Sequence, residues 1–311
     1  YEDNIPILKD VSFHVDKGEV VCIVGESGCG KSVTSLSIMG LLARGGSVKG
    51  GTVLFDGQNL LFLTEKELDR IRGNQMTMIF QDPLTSLNPV FTVGNQITES
   101  IRTHLKLSKE EAAVRAEELL EKVGMPDAKS AMKKYPHTLS GGMRQRAMIA
   151  MALSCNPKLL IADEPTTALD VTIQAQIMKL LRELQQENGM SIILITHDIG
   201  LVAHMADRVI VMYAGQMIEE APVNEIFKMP RHPYTKALLD TVPTIRDTKD
   251  RELVAIPGMV PENYDNMSGC RFAPRCKYRR PECDNPQKDY EFGSGHTAKC
   301  VVMKEGGISY E

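Results

Sequence analysis

A short glycine-rich segment between two apolar stretches constrains the fold of this chain more than any other feature. Residues 25–32 read GESGCGKS, which fits the phosphate-loop pattern GxxxxGK[ST]. A β-branched apolar run at residues 20–24 precedes the segment and predicts a buried strand, and residues 31–42 are predicted to form the following helix. Because strand, loop and helix occur in the order that the motif requires, a chance glycine turn is a poor explanation.

Each residue type in this loop has a use in holding phosphate. Glycines at positions 25, 28 and 30 allow a tight wrap, so that successive backbone N–H groups point inward. Lys31 is predicted to reach the β- and γ-phosphates, and the Ser32 hydroxyl is predicted to ligate Mg²⁺. The predicted nucleotide-binding loop therefore consists of Gly25, Glu26, Ser27, Gly28, Cys29, Gly30, Lys31 and Ser32.

Apolar runs and helical segments alternate along the chain. Residues 159–163 and 191–196 are predicted as buried strands, and the segment 171–187 between them as an amphipathic helix. This alternation indicates an α/β fold with a mostly parallel sheet that is covered on both faces. Further strands are predicted at 11–13, 52–55, 77–80, 208–213 and 216–220, the last two as a hairpin, and further helices at 109–123 and 140–154.

Two stretches depart from this alternation. Residues 84–156 lack a clear strand and are predicted to be a helical insertion within a first domain that spans residues 1–243. After Pro243 prolines and charges become more frequent, and helical periodicity fades. Residues 244–311 are therefore predicted to form a small appended domain, which needs a staple because its core is small.

Two polar motifs follow the loop in chain order. Residues 139–145 read LSGGMRQ, where the serine suits a helix N-cap and the glycines leave the free N–H groups open to a phosphate. The apolar run at 159–163 then ends in Asp163 and Glu164, and carboxylates at such a strand end lie where ligands bind. A phosphate loop alone indicates only nucleotide binding. The order of all three motifs narrows the class of nucleotide-binding protein.

This combination resembles the ATP-binding subunit of ABC transporters, in which two such domains face each other and clamp ATP. The resemblance implies a P-loop NTPase fold of ABC type with a mostly parallel sheet core, an antiparallel β subdomain and a helical subdomain. It implies that Ser140, Gly141 and Gly142 complete the site of the opposite subunit. The segment after Glu164 resembles the D-loop, which would put Asp170 at the dimer seam.

The resemblance also implies the roles of four side chains. Asp163 would bind Mg²⁺ together with Ser32, and Glu164 would be the general base that polarises the attacking water. Gln81, in the sequence FQDP, resembles the Q-loop glutamine, which contacts Mg²⁺ and the water. His197, in the sequence ITHD, resembles the switch histidine that contacts the γ-phosphate.

Adenine binding is specified by one further residue in this family. Its members stack the base on an aromatic side chain shortly upstream of the phosphate loop. Tyr1 is the candidate here, with Phe13 as the other aromatic residue in this region.

Four of the seven cysteines lie near the C-terminal end with the spacing C-x5-C-x6-C-x16-C. Four thiolates suffice for one [4Fe–4S] cluster or one tetrahedral zinc ion. The tight cysteine pairs usual for zinc and the bacterial ferredoxin run are both absent, so the spacing leaves the cluster, zinc and four free buried cysteines open. The residues are Cys270, Cys276, Cys283 and Cys300, and six basic residues near them in sequence would offset thiolate charge: Arg271, Arg275, Lys277, Arg279, Arg280 and Lys299.

Two segments resemble the C-terminal part of dipeptide and oligopeptide transport ATPases. They are residues 269–276, GCRFAPRC, and residues 232–235, HPYT. Some members of that branch are taken to carry a [4Fe–4S] cluster, so the resemblance favours the cluster over zinc, in a structural or regulatory role. It implies the ATPase subunit of a bacterial dipeptide or oligopeptide importer, with nickel as the alternative cargo.

The composition fits a protein that reaches a membrane only through partners. With 36 Lys and Arg against 40 Asp and Glu the formal charge is −4, so no basic field favours nucleic acid. No apolar run approaches the roughly 18 residues that a membrane span needs. We expect a peripheral protein at the cytoplasmic face of the cell membrane, without nucleic acid. Its expected partners are a homologous ATPase subunit (in a heterodimer, or a homodimer in isolation), two membrane permease subunits and, indirectly, an extracellular peptide-binding protein.

Two other function classes stay open. One is an ABC ATPase that is not coupled to transport, as in DNA repair or iron–sulfur assembly, although the long coiled coils usual in DNA-repair members are absent. The other is a non-enzymatic metal-binding regulator in which ATP only gates partner binding.

Overall fold

The computed structural model describes residues 6–82, 86–242, 255–261 and 264–304. Within these residues, ten strands lie in two sheets, one of eight strands and one of two. The strands are β1 (Val20–Val24), β2 (Leu54–Phe55), β3 (Gln58–Asn59), β4 (Met76–Ile79), β5 (Leu159–Asp163), β6 (Ser191–Ile195), β7 (Arg208–Tyr213), β8 (Gln216–Pro222), β9 (Tyr290–Glu291) and β10 (Thr297–Ala298).

The large sheet has the strand order β4-β5-β6-β1-β7-β8-β10-β9. The first five of these strands are parallel to one another, and the last three pair antiparallel. Alternate residues of β1 pack into two separate apolar cores: Val20, Cys22 and Val24 into one, Val21 and Ile23 into the other. Burial of both faces explains why the parallel strands are apolar throughout.

Eleven helices accompany these strands in the described residues. Their N-terminal ends often carry a capping side chain, such as Thr92, Ser108 or Asp170, whose oxygen accepts a backbone N–H of the first turn. The helices are α1 (Lys31–Met39), α2 (Glu65–Ile71), α3 (Val93–Leu105), α4 (Lys109–Lys122), α5 (Ala128–Ala131), α6 (Gly141–Ala152), α7 (Val171–Asn188), α8 (Ile199–Met205), α9 (Val223–Lys228), α10 (Pro233–Asp240) and α11 (Val301–Lys304).

Most predicted elements are present, with ends shifted by one to three residues. Strands β1 and β5 match their predicted bounds, and α1 stops at Met39 because Gly40 adopts a left-handed conformation with φ 64°. Between residues 86 and 156 the structure contains helices and no strand. No helix in the described part of the chain is both long and apolar enough to span a bilayer.

The predicted strand at Val11–Phe13 is wrong. These residues pair with no strand in the described structure, and Val11 and Phe13 instead pack against the apolar core on one face of the sheet. Packing against a sheet face satisfies the same apolar residues without a ladder of hydrogen bonds. The expected antiparallel β subdomain is correspondingly small where the structure describes it, since it contains only the β2–β3 hairpin.

The C-terminal segment extends the large sheet, which the sequence did not lead us to expect. Strand β10 pairs antiparallel with β8 through Thr297 and Ala298, and β9 pairs with β10. The buried Glu219 of β8 reinforces this junction, because it binds His296 Nε2 at 2.7 Å and accepts the His232 backbone N–H at 2.8 Å. This C-terminal segment, which carries the four clustered cysteines and is called the tail below, is thus joined to the sheet by both backbone and side-chain bonds.

Candidate functional site

The residues predicted to bind nucleotide meet at one edge of the sheet. Strands β4, β5, β6 and β1 are neighbours and parallel, so their carboxyl ends lie side by side. Gln81 follows β4, Asp163 and Glu164 stand at the end of β5, His197 follows β6, and the phosphate loop follows β1. In open parallel sheets, ligands bind at this edge.

The phosphate loop is wrapped around the amino group of Lys31. Its Nζ donates to the backbone oxygens of Gly25 at 2.8 Å and Glu26 at 3.1 Å, and the side chain is buried. Gly25 has φ 153°, and a Cβ there would lie 2.2 Å from the Met212 carbonyl oxygen, so no larger residue fits. The helix α1 begins at Lys31, directly behind the loop, and adds the free N–H groups of its first turn.

Ser32 and Asp163 are brought together as the predicted Mg²⁺ ligands require. The Ser32 hydroxyl donates to Asp163 Oδ1 at 3.1 Å. Burial raises the pKa of Asp163, and the neighbouring Glu164 carboxylate raises it further, against the lowering effects of the Ser32 hydrogen bond and of Lys31. A divalent cation at this position would favour the ionised carboxylate and would find two oxygen ligands ready.

Three side chains converge on the carboxylate of Glu164. Gln81 Nε2 donates to Oε2 at 3.1 Å, and the Thr167 hydroxyl donates to the same oxygen at 3.0 Å. His197 Nδ1 lies 3.3 Å from Oε1, and its side chain is 63% exposed. The Glu164 backbone is left-handed, with φ 46°, and its N–H donates to Ile195 O on β6 at 2.9 Å. A carboxylate with one oxygen held by Gln81 and Thr167, and the other beside an exposed histidine, suits a base that receives a water proton.

Two of these contacts differ from the sequence expectation. Gln81, predicted as a Mg²⁺ contact, bonds Glu164 in this structure, while Ser32 and Asp163 bond each other. Thr167 was not assigned a role, although it lies in the D-loop-like segment; a hydroxyl three residues after the predicted base was the available signal. Tyr1, the predicted adenine contact, lies outside the described residues, and Phe13 is partly buried in the core.

Ser140, Gly141 and Gly142, which are predicted to complete the site of the opposite subunit, stand at the start of α6. Ser140 is the N-cap, and its hydroxyl accepts the Met143 N–H at 3.4 Å. A Cβ on Gly141 would lie 3.2 Å from Leu169, and one on Gly142 would lie 3.0 Å from Ile173. Small residues here therefore let α6 pack closely against the segment that starts α7.

Asp170, the residue predicted at the dimer seam, is the N-cap of α7. Its Oδ1 accepts the Ile173 N–H at 3.0 Å. The start of α6, at Gly141, and Leu169 of the D-loop-like segment lie close together within one chain.

The four tail cysteines line a single narrow cavity, together with His232. Cys270 Sγ lies 3.9 Å from His232 Nε2. Burial, with a smaller contribution from the neighbouring thiols, raises the pKa of Cys270 to about 12 and that of Cys300 to about 11. Among the described residues, however, no group of three or more histidine, cysteine or acidic side chains is arranged to hold a metal ion.

Some basic residues expected to surround these thiols have other partners. Arg271 donates to the Ala214 carbonyl, and Arg275 binds the Glu26 carboxylate. Arg279 binds Asp284. These three arginines therefore donate hydrogen bonds to groups other than the thiols, and the offset of thiolate charge stays a prediction.

The sequence matches two family models. The model described as ABC transporter matches residues 8–167, and the model described as oligopeptide/dipeptide transporter, C-terminal region, matches residues 218–283. The oligopeptide transport ATP-binding protein AppD of Bacillus subtilis is 53% identical over 308 residues, covering 98% of this chain and 94% of that protein. The oligopeptide transport ATP-binding protein OppD of the same organism is 55% identical over 279 residues, covering 89% of this chain and 78% of that protein.

Solved structures share the fold. The dimeric ATP-binding cassette MJ0796, in a post-hydrolysis state bound to ADP and Pi, has a TM-score of 0.63 at 32% identity, covering 70% of this chain and 90% of that one. Cassette cbiO1 from Clostridium perfringens, part of the cbiONQ transporter complex, has a TM-score of 0.63 at 33% identity, covering 74% and 87%.

Proposed function

The chain belongs to the ABC transporter family, and we propose that it is the ATP-hydrolysing subunit of a bacterial peptide importer. The observation that carries the proposal is the presence, in one chain, of the Glu164-centred cluster beside a phosphate loop and of a C-terminal region typical of oligopeptide transporters. Relatives named for oligopeptide transport align along nearly the whole chain. These relatives favour a peptide over nickel, and transport over an uncoupled ATPase.

Each side chain at the sheet edge has a part in hydrolysis under this proposal. Lys31 and the loop N–H groups hold the phosphates, and Ser32 and Asp163 hold Mg²⁺. Glu164 accepts the proton of the attacking water, a role supported by its position against His197 and Gln81. His197 contacts the γ-phosphate. Gln81, at the end of β4, responds to changes at the nucleotide site.

A second ATPase subunit completes the site in this proposal. Ser140, Gly141 and Gly142 of one subunit offer the free N–H groups of α6 to a phosphate held by the other, and Asp170 lies at the seam. Support comes from the similar cassette that forms a dimer with ADP and Pi. The proposed assembly contains a homologous ATPase subunit, two membrane permeases and an external peptide-binding protein, with this chain peripheral at the cytoplasmic face.

We also propose residues 1–243 as the ATPase domain, with a helical subdomain at about 84–156, and residues 244–311 as an extension. The tail of this extension is proposed to hold a [4Fe–4S] cluster. Four cysteines around one cavity supply the number and type of ligands that such a cluster takes. When bound, the cluster would stabilise the fold of the tail. It would take no part in ATP hydrolysis, which needs no electron transfer.

Iron and acid-labile sulfide content after anaerobic purification tests the cluster. We expect four irons per chain, and Cys283→Ser should lower the iron content sharply while Cys155→Ser, a buried cysteine outside the tail, should not. Stoichiometric zinc in a colourless protein would decide for zinc.

The function is tested by reconstitution with the membrane and ATPase subunits that copurify with this chain. Peptide-loaded binding protein should stimulate phosphate release and peptide uptake. In the same assembly Lys31→Ala should abolish tight ATP binding and uptake. An assembly that hydrolyses ATP without polytopic membrane partners and without response to peptide would refute the importer.

A further inference from the structure

One arginine of the tail reaches into the phosphate loop. Arg275 Nη1 and Nη2 donate to Glu26 Oε2 and Oε1 at 2.8 and 3.0 Å, a fork-to-fork ion pair across 249 positions of sequence. The Arg275 side chain is 5% exposed and that of Glu26 is 28% exposed. Such a bidentate pair fixes the orientation of both groups, not only their separation.

Arg275 is held firmly at its other edges. Its Nε donates to Pro257 O at 2.9 Å, Nη2 also reaches Ile256 O at 3.3 Å, and Nη1 reaches the Tyr213 hydroxyl at 3.3 Å. Hydrogen bonds on every side compensate the cost of burying the guanidinium, and the bond to Glu26 raises its pKa. The arginine can therefore transmit the position of the tail.

Glu26 is also held through its backbone. Its N–H donates to the Tyr234 hydroxyl at 2.9 Å, and Tyr234 is fully buried. The rings of Tyr213 and Tyr234 lie 4.7 Å apart, and Phe272 of the tail packs against them at 5.3 and 5.4 Å. The tail thus supports both contacts that fix Glu26.

Glu26 in turn fixes the loop. Its carbonyl oxygen accepts from Lys31 Nζ at 3.1 Å and from the Cys29 N–H at 3.3 Å. A shift of Glu26 would therefore move the phosphate-binding amine and the loop N–H groups together. A loop that is rigid before the ligand arrives loses less entropy on binding.

We infer that Arg275 is a positioning residue for nucleotide binding: it makes the ATP affinity of the phosphate loop depend on the folded, cysteine-bearing tail. The inference rests on the proposed nucleotide role of this loop. Arg275 directly precedes Cys276, so the state of the cysteine site and the geometry of the loop share one rigid connection.

Calorimetric titration of the full chain with Mg·ATP tests this, in the slowly hydrolysing Glu164→Gln background. Arg275→Met should weaken ATP affinity on the order of tenfold, because the loop loses a charge-assisted anchor. Arg275→Lys should give a smaller loss. The double variant with Glu26→Gln should lose no more than Arg275→Met alone, because both act on one pair.

Arg279→Met is the matched control. Arg279 also lies in the tail, and its Nη2 donates to both carboxylate oxygens of Asp284 at 2.9 and 3.1 Å, but both side chains are more than half exposed. Its ATP affinity should equal that of the parent. In steady-state assays of the wild-type background, Arg275→Met should raise KM for ATP with little change in kcat.

The outcomes separate this inference from the proposed function. If the parent protein binds no ATP, the proposed function fails. If the parent binds ATP and Arg275→Met binds it equally well, Arg275 has no positioning role. Thiol titration of the native protein shows whether the tail stays folded. If Arg275→Met exposes the thiols, the ATP affinity of Glu26→Gln is measured in its place. Unchanged affinity of Glu26→Gln would overturn the inference, and weaker affinity would support it.

Discussion

Replacement of Glu164 by glutamine tests the hydrolytic centre most directly. A glutamine has nearly the same shape, and its carbonyl oxygen can still accept the bonds from Gln81 and Thr167 that now go to Oε2. Its amide N–H₂ would face His197 Nδ1, now 3.3 Å from Oε1, and can donate to that nitrogen in the neutral tautomer. The local structure should therefore persist while the ability to accept a proton is lost.

The expected loss follows from that single chemical change. Removal of a positioned general base typically costs on the order of 10²–10⁴ in rate, which corresponds to about 2.7–5.4 kcal/mol of transition-state stabilisation. ATP binding should remain at the wild-type level. Phosphate release at saturating Mg·ATP and calorimetric ATP binding measure the two quantities separately.

The matched control is Glu187→Gln. Glu187 pairs with Lys122 at 2.8 Å on the surface, where both side chains are substantially exposed, and such pairs contribute little. Its turnover should equal the wild-type value. Turnover of Glu164→Gln within about threefold of wild type would refute the base assignment, since no general base is lost at so small a cost.

Three further changes probe stability and assembly. Burial raises the pKa of Glu19, but its bonds with Arg208 outweigh this effect and leave the pKa low. Glu19→Gln should therefore lower the free energy of unfolding by about 1.5–3 kcal/mol at neutral pH. The difference should vanish as pH falls through the lowered pKa, which urea titrations at acid and neutral pH can check. Gly141→Ala should fold and bind ATP but lose ATP-driven dimerisation, seen by light scattering; a normal dimer would contradict the role of α6 in the partner's site. Glu219→Ala should cost about 3–5 kcal/mol, because it leaves His296 and two backbone donors without their buried acceptor; unchanged urea unfolding would contradict this.

The sequence predicted what local patterns encode. Strands β1 and β5 are continuous apolar runs because both faces are buried, and their ends fixed Lys31 and Glu164 at one sheet edge. Two-residue strands such as β9 and β10 carry no pattern, so their place in the sheet was not predictable. The position of Arg275 next to Cys276 does not identify Glu26 as its partner, because the pairing depends on how the tail docks against the phosphate loop.

The docking of the tail beside β8 also bears on solubility. A seven-residue strand whose outer side lacked a neighbour would offer a row of backbone donors and acceptors to any other chain. Strand β10 pairs with Glu219 and Glu220 of this strand, and β10 and β9 are each only two residues long, which makes them a poor template for further pairing. A fragment that ends before the tail should therefore aggregate through the exposed edge of β8, even though it keeps every nucleotide-binding residue.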